Sequence, residues 1–231
     1  MKTWVTKSGY KIIRVLAGRS NVFLLTDGKS HILIDTNTKS NWNRLEKRLN
    51  DLKITHLDYL ILTHTHFDHA ANAKRIMEKY KALVVVNKNE ATYLLAGDNI
   101  IPNGTNFISL NLINLFAKMV FPELSYEPCQ HHILVDSKLD LNDLGFNAYI
   151  IHTPGHTKGS MSIVVDDEIA IVGDTMFGVF NWSIFPPFAN DVRLMVKSWG
   201  LLLDTNCSLF IPAHGSANRR KLVQKDYDKR K

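Results

Sequence analysis

The sequence LTHTHFDHA, at residues 62–70, places three histidines and one aspartate within six positions. A solvated polar loop would explain this composition, and so would a metal site. His64 and His66 lie two positions apart at the end of an apolar run, and strand alternation turns both side chains to the same side. Asp68 and His69 follow where a helix is expected to begin. One short turn therefore directs four potential metal ligands into one space.

Three further ligand-type side chains each follow an apolar stretch later in the chain. His156 lies in HTPGHTKGS, Asp174 in IVGDTMFG and His214 in FIPAHGS. A carboxylate or an imidazole at the end of a buried strand is costly unless something binds it. Taken singly, Asp174 and His214 would be interpreted as ordinary turn or loop residues. With the first cluster they make seven candidate ligands, enough for two metal ions.

The pattern of apolar residues predicts strands and helices that alternate in the first half of the chain. Strands are expected at residues 10–16, 21–27, 31–36, 57–63 and 82–87, and helices at 41–51, capped by Ser40, at 69–80 and at 89–95. The second half predicts strands at 131–136, 138–141, 146–153, 159–167, 168–174 and 208–214, with a helix at 190–205. Two sets of strands with helices at intervals indicate two packed sheets covered by helices, in one α/β domain spanning residues 1–231.

The composition limits the classes of function. A net charge of +6, part of it in the basic tail at 219–231, is typical of a solvated surface, and no clustered basic groove indicates nucleic-acid binding. Cys129 and Cys207 form no CxxC pair, which excludes a cysteine zinc site and a disulfide framework. The first residues lack the apolar core of a signal peptide, so we expect a cytoplasmic protein.

The segment NFISLNLINLFAKMVF, at 106–121, is the most apolar long stretch, yet it is shorter than the ~20 residues that a membrane span needs. We predict a helical insertion there, at about 103–122. One helical face would carry Ile108, Leu112, Leu115, Phe116 and Met119. That face either packs on the domain, or forms a lid, or forms the surface of a homodimer.

In this order, the motifs H-x-H-x-D-H, T-P-G-H, G-D-T and A-H-G resemble the motif set of the metallo-β-lactamase-fold superfamily, from LIDT at 33–36 to PAHG at 212–215. The resemblance implies an αββα four-layer sandwich of two mixed β-sheets flanked by helices. It also implies two divalent ions, for which zinc is the expected metal and iron or manganese the alternatives. In the implied ligand set one ion is held by His64, His66 and His156, the other by Asp68, His69 and His214, and Asp174 bridges the two.

Asp35 matches the first motif of the family, in which an aspartate supports the ligands without binding the metal. That motif often reads Asp-Thr-Gly, whereas this chain has Asp35, Thr36 and Asn37. Asparagine tolerates the left-handed backbone better than most residues do. We therefore expect the turn to survive. A plain turn residue is the alternative interpretation of Asp35.

Several branches of the superfamily fit less well. Lactamases with a cysteine ligand carry it at the position of Asp174, and flavodiiron oxidoreductases carry a glutamate at the position of His66. Large nucleases have a domain inserted among the later motifs, for which the chain between His156 and His214 is too short. Hydroxyacylglutathione hydrolases add a basic C-terminal helical region. Only seventeen residues follow His214 here, which argues against that activity.

The resemblance implies a metal-dependent hydrolase, in which a metal-bridging hydroxide attacks the substrate and Asp68 orients this nucleophile. We expect a small ester, lactone or thioester with an apolar portion. The alternatives are a phosphodiesterase or RNA-processing nuclease, an iron-binding redox protein and a non-catalytic ligand-binding relative. Phe177, Phe180 and Trp182 follow Asp174 closely, and we predict that they wall the substrate pocket. Core packing of these aromatic residues is the competing interpretation.

Overall fold

The computed structural model describes residues 1–98, 104–105 and 125–231. The predicted insertion at 103–122 and its apolar helix at 106–121 lie outside the described residues, apart from 104–105. The strands are β1 Thr3–Val5, β2 Lys11–Leu16, β3 Val22–Thr26, β4 His31–Ile34, β5 Tyr59–Ile61, β6 Leu83–Asn87, β7 Ile133–Val135, β8 Lys138–Asp140, β9 Ala148–His152, β10 Met161–Val165, β11 Ile169–Gly173, β12 Leu209–Pro212 and β13 Asn218–Arg219. The helices are α1 Trp42–Asp51, α2 Phe67–Ala70, α3 Ala73–Tyr80, α4 Ala91–Ala96, α5 Val192–Asp204 and α6 Arg220–Asp228.

The strands form two mixed sheets. The first has seven strands in the order β1-β2-β3-β4-β5-β6-β7, antiparallel up to β4 and parallel from β4 to β7. The second has six strands in the order β13-β12-β11-β10-β9-β8, and only β11 and β12 run parallel. Each half of the chain therefore builds one sheet.

Side chains that alternate along the strands fill three apolar layers. In β3, Phe23 and Leu25 lie between the two sheets, whereas Leu24 packs with the residues of α1 and α3. In β10, Ile163 lies between the sheets and Val164 packs with the residues of α5. The layers run helix, sheet, sheet, helix, which confirms the predicted αββα sandwich.

The helix predicted over 69–80 is two helices, α2 and α3, because the chain bends between them. The Asn72 side chain at this bend donates to the carbonyl oxygens of Thr36, at 3.0 Å, and Thr38, at 2.9 Å. Its backbone N–H donates to Thr36 Oγ1 at 3.0 Å. These bonds hold the bend on the loop after β4. They join residues distant in sequence, so helical periodicity could not predict the break.

The predicted cap of α1 by Ser40 is wrong. Residues Lys39–Asn41 form a 3-10 turn before α1, and no side chain caps the helix. Ser40 Oγ lies 3.1 Å from Thr38 Oγ1. Asn37 organises the turn instead, since its Oδ1 accepts from Thr38 N at 2.7 Å and from Asn41 Nδ2 at 2.9 Å.

Three short or terminal elements, β1, β13 and α6, are absent from the predictions. The two strands have three and two residues, too few for a period-2 pattern to be visible. The basic tail forms α6, whose Val223 packs in the layer outside the second sheet. None of the helices within the three described ranges has the length and apolar character to cross a bilayer.

Asp166 is a buried carboxylate in the turn between β10 and β11. It accepts hydrogen bonds from Ser8 N at 3.0 Å, Ser8 Oγ at 2.7 Å and Asn147 Nδ2 at 3.1 Å. Burial alone would raise the pKa of Asp166, but hydrogen bonds outweigh burial and lower this pKa below its ordinary value. Its charge therefore stabilises the fold above the unfolded pKa, and this contribution is lost as the pH falls through the lower folded pKa.

We expect Asp166→Asn to lower the free energy of unfolding by about 1–3 kcal/mol at neutral pH, because charge-assisted hydrogen bonds are lost. The difference from the wild type should shrink as the pH falls below about 3.9, the unfolded pKa of aspartate. Urea unfolding at a series of pH values measures both effects. Equal stability of the two proteins at neutral pH would contradict this role of Asp166.

Candidate metal centre

The candidate ligands lie in loops that follow strands of both sheets. His64 and His66 follow β5 of the first sheet. Asp174 directly follows β11 and His214 follows β12, and these are the two parallel strands of the second sheet. His156 lies in the turn between β9 and β10. The two sheets thus present their ligand loops at one common edge, as α/β proteins commonly do with ligand sites.

The loops of the two sheets touch closely at Gly173 and Thr63. Gly173 has φ +52°, and a Cβ at this position would lie 2.8 Å from Thr63 Cβ. Met161 N donates to the carbonyl oxygen of Thr63 at 2.8 Å. A side chain at position 173 would separate the loops. Steric contact between the two loops therefore explains why the G-D-T motif has glycine at position 173.

His64, His66 and His156, here called the first trio, are buried and present ring nitrogens within 4.8 Å of one another. His66 Nδ1 lies 2.9 Å from His64 Nε2 and 3.1 Å from His156 Nε2. Nitrogen ligands at ~2.1 Å from a tetrahedral zinc ion lie about 3.4 Å from one another. The spacing of the first trio is therefore close to that of a metal site.

Asp68, His69 and His214, the second trio, also lie within this limit of one another. His214 Nε2 is 3.5 Å from Asp68 Oδ2. Asp174 lies between the trios: its Oδ2 is 3.4 Å from His156 Nε2 and 3.2 Å from His214 Nε2, and its Oδ1 is 3.5 Å from His69 Nε2. The structure brings all seven predicted ligands together, with Asp174 in contact with both trios.

Hydrogen bonds orient two of the imidazoles. His156 Nδ1 lies 2.9 Å from the carbonyl oxygen of Phe188, which can only accept, so this nitrogen carries the proton and Nε2 faces the centre. His69 Nδ1 likewise lies 2.8 Å from Asp35 Oδ2. Such bonds fix the ring nitrogen that is left for a metal. Asp35 lies behind His69 and not among the ligands.

Two buried polar atoms at the centre have no hydrogen-bond partner among the described residues: His69 Nε2 and Asp174 Oδ1. An unpaired buried polar atom costs about 1–3 kcal/mol unless something binds it. Imidazole nitrogens and carboxylate oxygens are ligands of zinc, iron and manganese. The unpaired atoms and the set of donors therefore fit divalent cations.

The histidines of the first trio are held in the neutral form. Burial lowers the pKa of His64 and of His66 well below the ordinary value, and the neighbouring imidazoles lower it further. Burial also lowers the pKa of His156. Neutral imidazole is the form that binds a metal. The first trio is therefore ready to accept a cation at neutral pH.

The second trio lies in a negative potential. Burial lowers the pKa of His69, but the charges of Asp174, Asp35 and Asp68 outweigh it and raise this pKa to about 10. The pKa of His214 is also raised, since Asp174 outweighs burial there. Burial would raise the pKa of Asp174, but the three surrounding histidines lower it. The carboxylates around the second trio thus favour positive charge at this end of the centre, which suits a cation.

The centre opens to solvent beside the second trio. The side chains of Asp68 and His214 are 10% and 17% exposed. Arg19, which was not predicted, lies over this opening: its Nε is 3.9 Å from Asp68 Oδ2 and its side chain is 64% exposed. Its loop between β2 and β3 has no ligand-type residues, so only the folded chain reveals it.

The same loop is tied to the ligand turns by its polar residues. Ser20 Oγ donates to the carbonyl oxygen of Asp68 at 2.5 Å, and Asn21 Nδ2 donates to that of Gly215 at 3.1 Å. Asn37 Nδ2 donates to the carbonyl oxygen of Ser20 at 2.5 Å. Asn37 has φ +61°, which confirms the left-handed backbone predicted for this asparagine. These residues hold the opening in shape.

The aromatic segment after Asp174 lies next to the second trio. The ring centroid of Phe177 is 4.5 Å from that of His214. Phe180 and Trp182 stack at 4.9 Å and are 51% and 64% exposed, so core packing is the wrong interpretation for these two. Phe180 borders a groove of about 680 Å³ whose wall includes three cations without a described acidic partner, namely Arg219, Lys221 and Lys225.

Comparison with known proteins agrees with this geometry. A protein of Methanocaldococcus jannaschii named as a probable metallo-hydrolase is 30% identical over 207 residues, which cover 87% of this chain and 90% of the relative. A protein of Haemophilus influenzae named hydroxyacylglutathione hydrolase is 29% identical and is covered over 90% of its length, with 89% of this chain. A metallo-β-lactamase family structure from Thermus thermophilus has a TM-score of 0.68 at 18% identity, covering 91% of this chain and 72% of that one.

The Haemophilus protein corrects one argument from the sequence. This chain covers 90% of that relative, so the short region after His214 does not set the chain apart from a protein named hydroxyacylglutathione hydrolase. The profile of the metallo-β-lactamase superfamily matches residues 15–214, which contain every candidate ligand. With the αββα sandwich and the His/Asp centre at its edge, this match shows that the chain belongs to the metallo-β-lactamase superfamily.

Proposed function

We propose that the protein is a dinuclear metal-dependent hydrolase of small esters, lactones or thioesters that carry an apolar portion. The observation that supports this proposal is the position of Asp174, whose two oxygens lie 3.2–3.5 Å from ring nitrogens of both trios. A single ion would need three or four protein ligands, whereas seven converge here. Zinc is the metal we propose.

The residues of the chain have distinct roles in this proposal. The first and second trios would each hold one ion, and Asp174 lies where it could reach both. Bound divalent ions supply an activated water and polarise the carbonyl oxygen of the substrate. Asp68, at the solvent opening, would orient the attacking water and accept its proton. As water oxygen bonds to the acyl carbon and the acyl–oxygen or acyl–sulfur bond breaks, Asp68 returns the proton to the leaving group.

The thioester is the form of substrate we favour, because the Haemophilus relative carries a name for that chemistry. The groove beside Phe180 lies next to the second trio, since Gly178 in its wall donates its N–H to the carbonyl oxygen of His214 at 2.8 Å. Stacked aromatic rings suit an apolar group of the substrate. We propose that Phe177, Phe180 and Trp182 bind this apolar group of the substrate.

The test is a panel of small thioesters, carboxylic esters, lactones and phosphodiesters, assayed with metal-free protein and with the same protein after zinc is added back. We expect thioester or ester hydrolysis that depends on metal. Turnover of phosphodiesters alone would contradict the substrate class and favour a phosphodiesterase. Tight metal binding without any turnover would favour a ligand-binding relative.

We expect Trp182→Ala to lower kcat/KM for long-chain esters by roughly tenfold to a hundredfold. This loss corresponds to the free energy of one apolar contact, about 1–3 kcal/mol. Short-chain esters of the same leaving group should change little. Because Trp182 is 64% exposed, thermal stability should hardly move. Trp42→Ala, on α1, is the matched control: it should lower stability and leave the chain-length preference unchanged. Equal losses with both esters would place the apolar group elsewhere.

A further inference from the structure

Glu90 is a fully buried carboxylate at the start of α4. Its Oε2 accepts from Thr65 N at 3.0 Å and from Thr65 Oγ1 at 2.5 Å. Its Oε1 accepts from Gly159 N at 3.1 Å. Thr65 separates the first two histidines of the first trio, and Gly159 lies in the turn that carries the third. One carboxylate therefore joins the two loops that carry the first trio.

Asp35 makes the corresponding contacts behind the second trio. Its Oδ1 accepts from Thr63 N and its Oδ2 from Thr63 Oγ1, both at 2.8 Å, and its Oδ2 also contacts His69 Nδ1. In the run T-H-T-H, each threonine thus gives its backbone N–H and its hydroxyl to one buried carboxylate. Thr63 binds Asp35, which contacts His69 of the second trio, and Thr65 binds Glu90, which joins the two loops of the first trio. The Thr63 hydroxyl also lies 3.2 Å from His64 Nδ1, so Glu90 is the carboxylate whose contacts serve the first trio alone.

The fit around Glu90 is close. A Cβ at Gly159 would lie 2.4 Å from Glu90 Cγ, so only glycine allows this approach. Tyr126 Oη holds Thr65 from another side by donating to its carbonyl oxygen at 2.9 Å. Within the described ranges no lysine or arginine pairs with Glu90. Its two oxygens accept hydrogen bonds from N–H and O–H groups of both loops, so the positions of Glu90 and of the two loops depend on one another.

We infer that Glu90 is a positioning residue for the first trio. It acts through Thr65 and Gly159, and it sets the separation between the imidazoles of the 62–70 turn and His156. The inference rests on the proposed function in one respect, namely that the trios bind metal. Ligands must be held within about 0.5 Å of their productive geometry. Substitution of a residue that holds a metal ligand in place typically changes the metal affinity by about tenfold to a hundredfold.

The experiment measures zinc affinity by competition with a coloured chelator, using full-length metal-free protein. Wild type should bind two ions in two steps. Glu90→Gln keeps the shape but replaces one acceptor oxygen by an NH₂ group that faces a donor. We expect Glu90→Gln to weaken the zinc affinity of one of the two binding steps by about tenfold to a hundredfold. His66→Ala should affect that same step. Asp35→Asn and His69→Ala should affect the other.

Two further variants separate positioning from folding. Thr65→Val removes one hydroxyl donor and should weaken the same step as Glu90→Gln, by a smaller factor, even if Glu90→Gln itself does not fold. Asp166→Asn removes a buried carboxylate from the turn before β11, at the end of this strand that lies away from the metal centre. We expect this variant to be less stable but to bind both zinc ions with unchanged affinity. Thermal unfolding of each metal-free variant records the structural cost independently of metal binding.

The outcomes distinguish the two proposals. Wild-type protein that binds no zinc would overturn the dinuclear function, and the role of Glu90 with it. Wild type with two ions, together with unchanged affinities in Glu90→Gln and Thr65→Val, would overturn only the role of Glu90. A loss of affinity in Asp166→Asn equal to that in Glu90→Gln would also overturn it, because general destabilisation would then explain both.

Discussion

Replacing Asp174 by alanine is expected to abolish measurable hydrolysis. The carboxylate contacts both trios, so its loss removes the shared ligand and leaves both ions weakly held. Electrostatic stabilisation by metals contributes several kcal/mol to a transition state. At 1.36 kcal/mol per tenfold, kcat/KM should fall about a thousandfold or more. Steady-state assays with elemental analysis of the same sample measure the activity and the metal content together.

The fold of this variant should persist, because the strands on either side of Asp174 are held by their own apolar residues. Circular dichroism of metal-free Asp174→Ala and metal-free wild type should therefore agree. Asp166→Asn provides the matched control, since it removes a buried carboxylate from the other end of the same strand. Full activity with two ions bound in Asp174→Ala would show that Asp174 is not the bridging ligand.

Removal of metal should abolish activity as Asp174→Ala does, and it should also lower the thermal stability. A ligand that binds only the folded state at a thousandfold excess over its Kd adds about 4 kcal/mol to stability. In a chain of 231 residues each kcal/mol shifts Tm by roughly 2–4 °C. We therefore expect chelation to lower Tm by at least about 8 °C and to abolish activity. Differential scanning fluorimetry, with and without zinc added back, measures the shift.

Magnesium at the same concentration serves as the control, because it prefers oxygen ligands and this centre offers mainly imidazole. It should restore neither Tm nor activity. A chelated protein with unchanged Tm and full turnover would contradict metal-dependent hydrolysis altogether. A protein that loses activity but keeps its Tm would point to ions bound far more weakly than proposed.

The ligand positions were predictable from the sequence because each one ends or follows an apolar run. Asp174 and His214 follow the parallel strands β11 and β12, whose ends lie side by side, and the packing of the two sheets brings His64, after β5, to the same edge. The two-sheet architecture was predictable for a related reason, since the two halves of the chain carry different patterns of strands and helices.

Residues that act through backbone atoms were not predictable. Glu90 has no ligand pattern, and its partners Thr65 and Gly159 come near it only when the two sheets pack. The bend at Asn72 likewise depends on carbonyl groups of the distant loop after β4. The contact between the side chains of Arg19 and Asp68 also forms only in the folded chain, so the sequence does not predict it. The alternating threonines of T-H-T-H were the one sequence feature that could have indicated such residues. A hydroxyl next to a buried histidine needs a hydrogen-bond acceptor, and here the acceptors are Asp35 and Glu90.

Each trio takes two side chains from the turn at 62–70 and one from the second half of the chain. His66 and His156, which lie 3.1 Å apart, are separated by 90 residues of sequence. In an unfolded chain an ion would find two neighbouring ligands and would have to close this long loop to gain the third. In the proposed dinuclear centre, bound ions would therefore act as reversible cross-links between the two sheets. In the proposed enzyme, unfolding that separates the sheets would have to break these links, so bound metal should slow unfolding and loss of metal should shorten the lifetime of the fold.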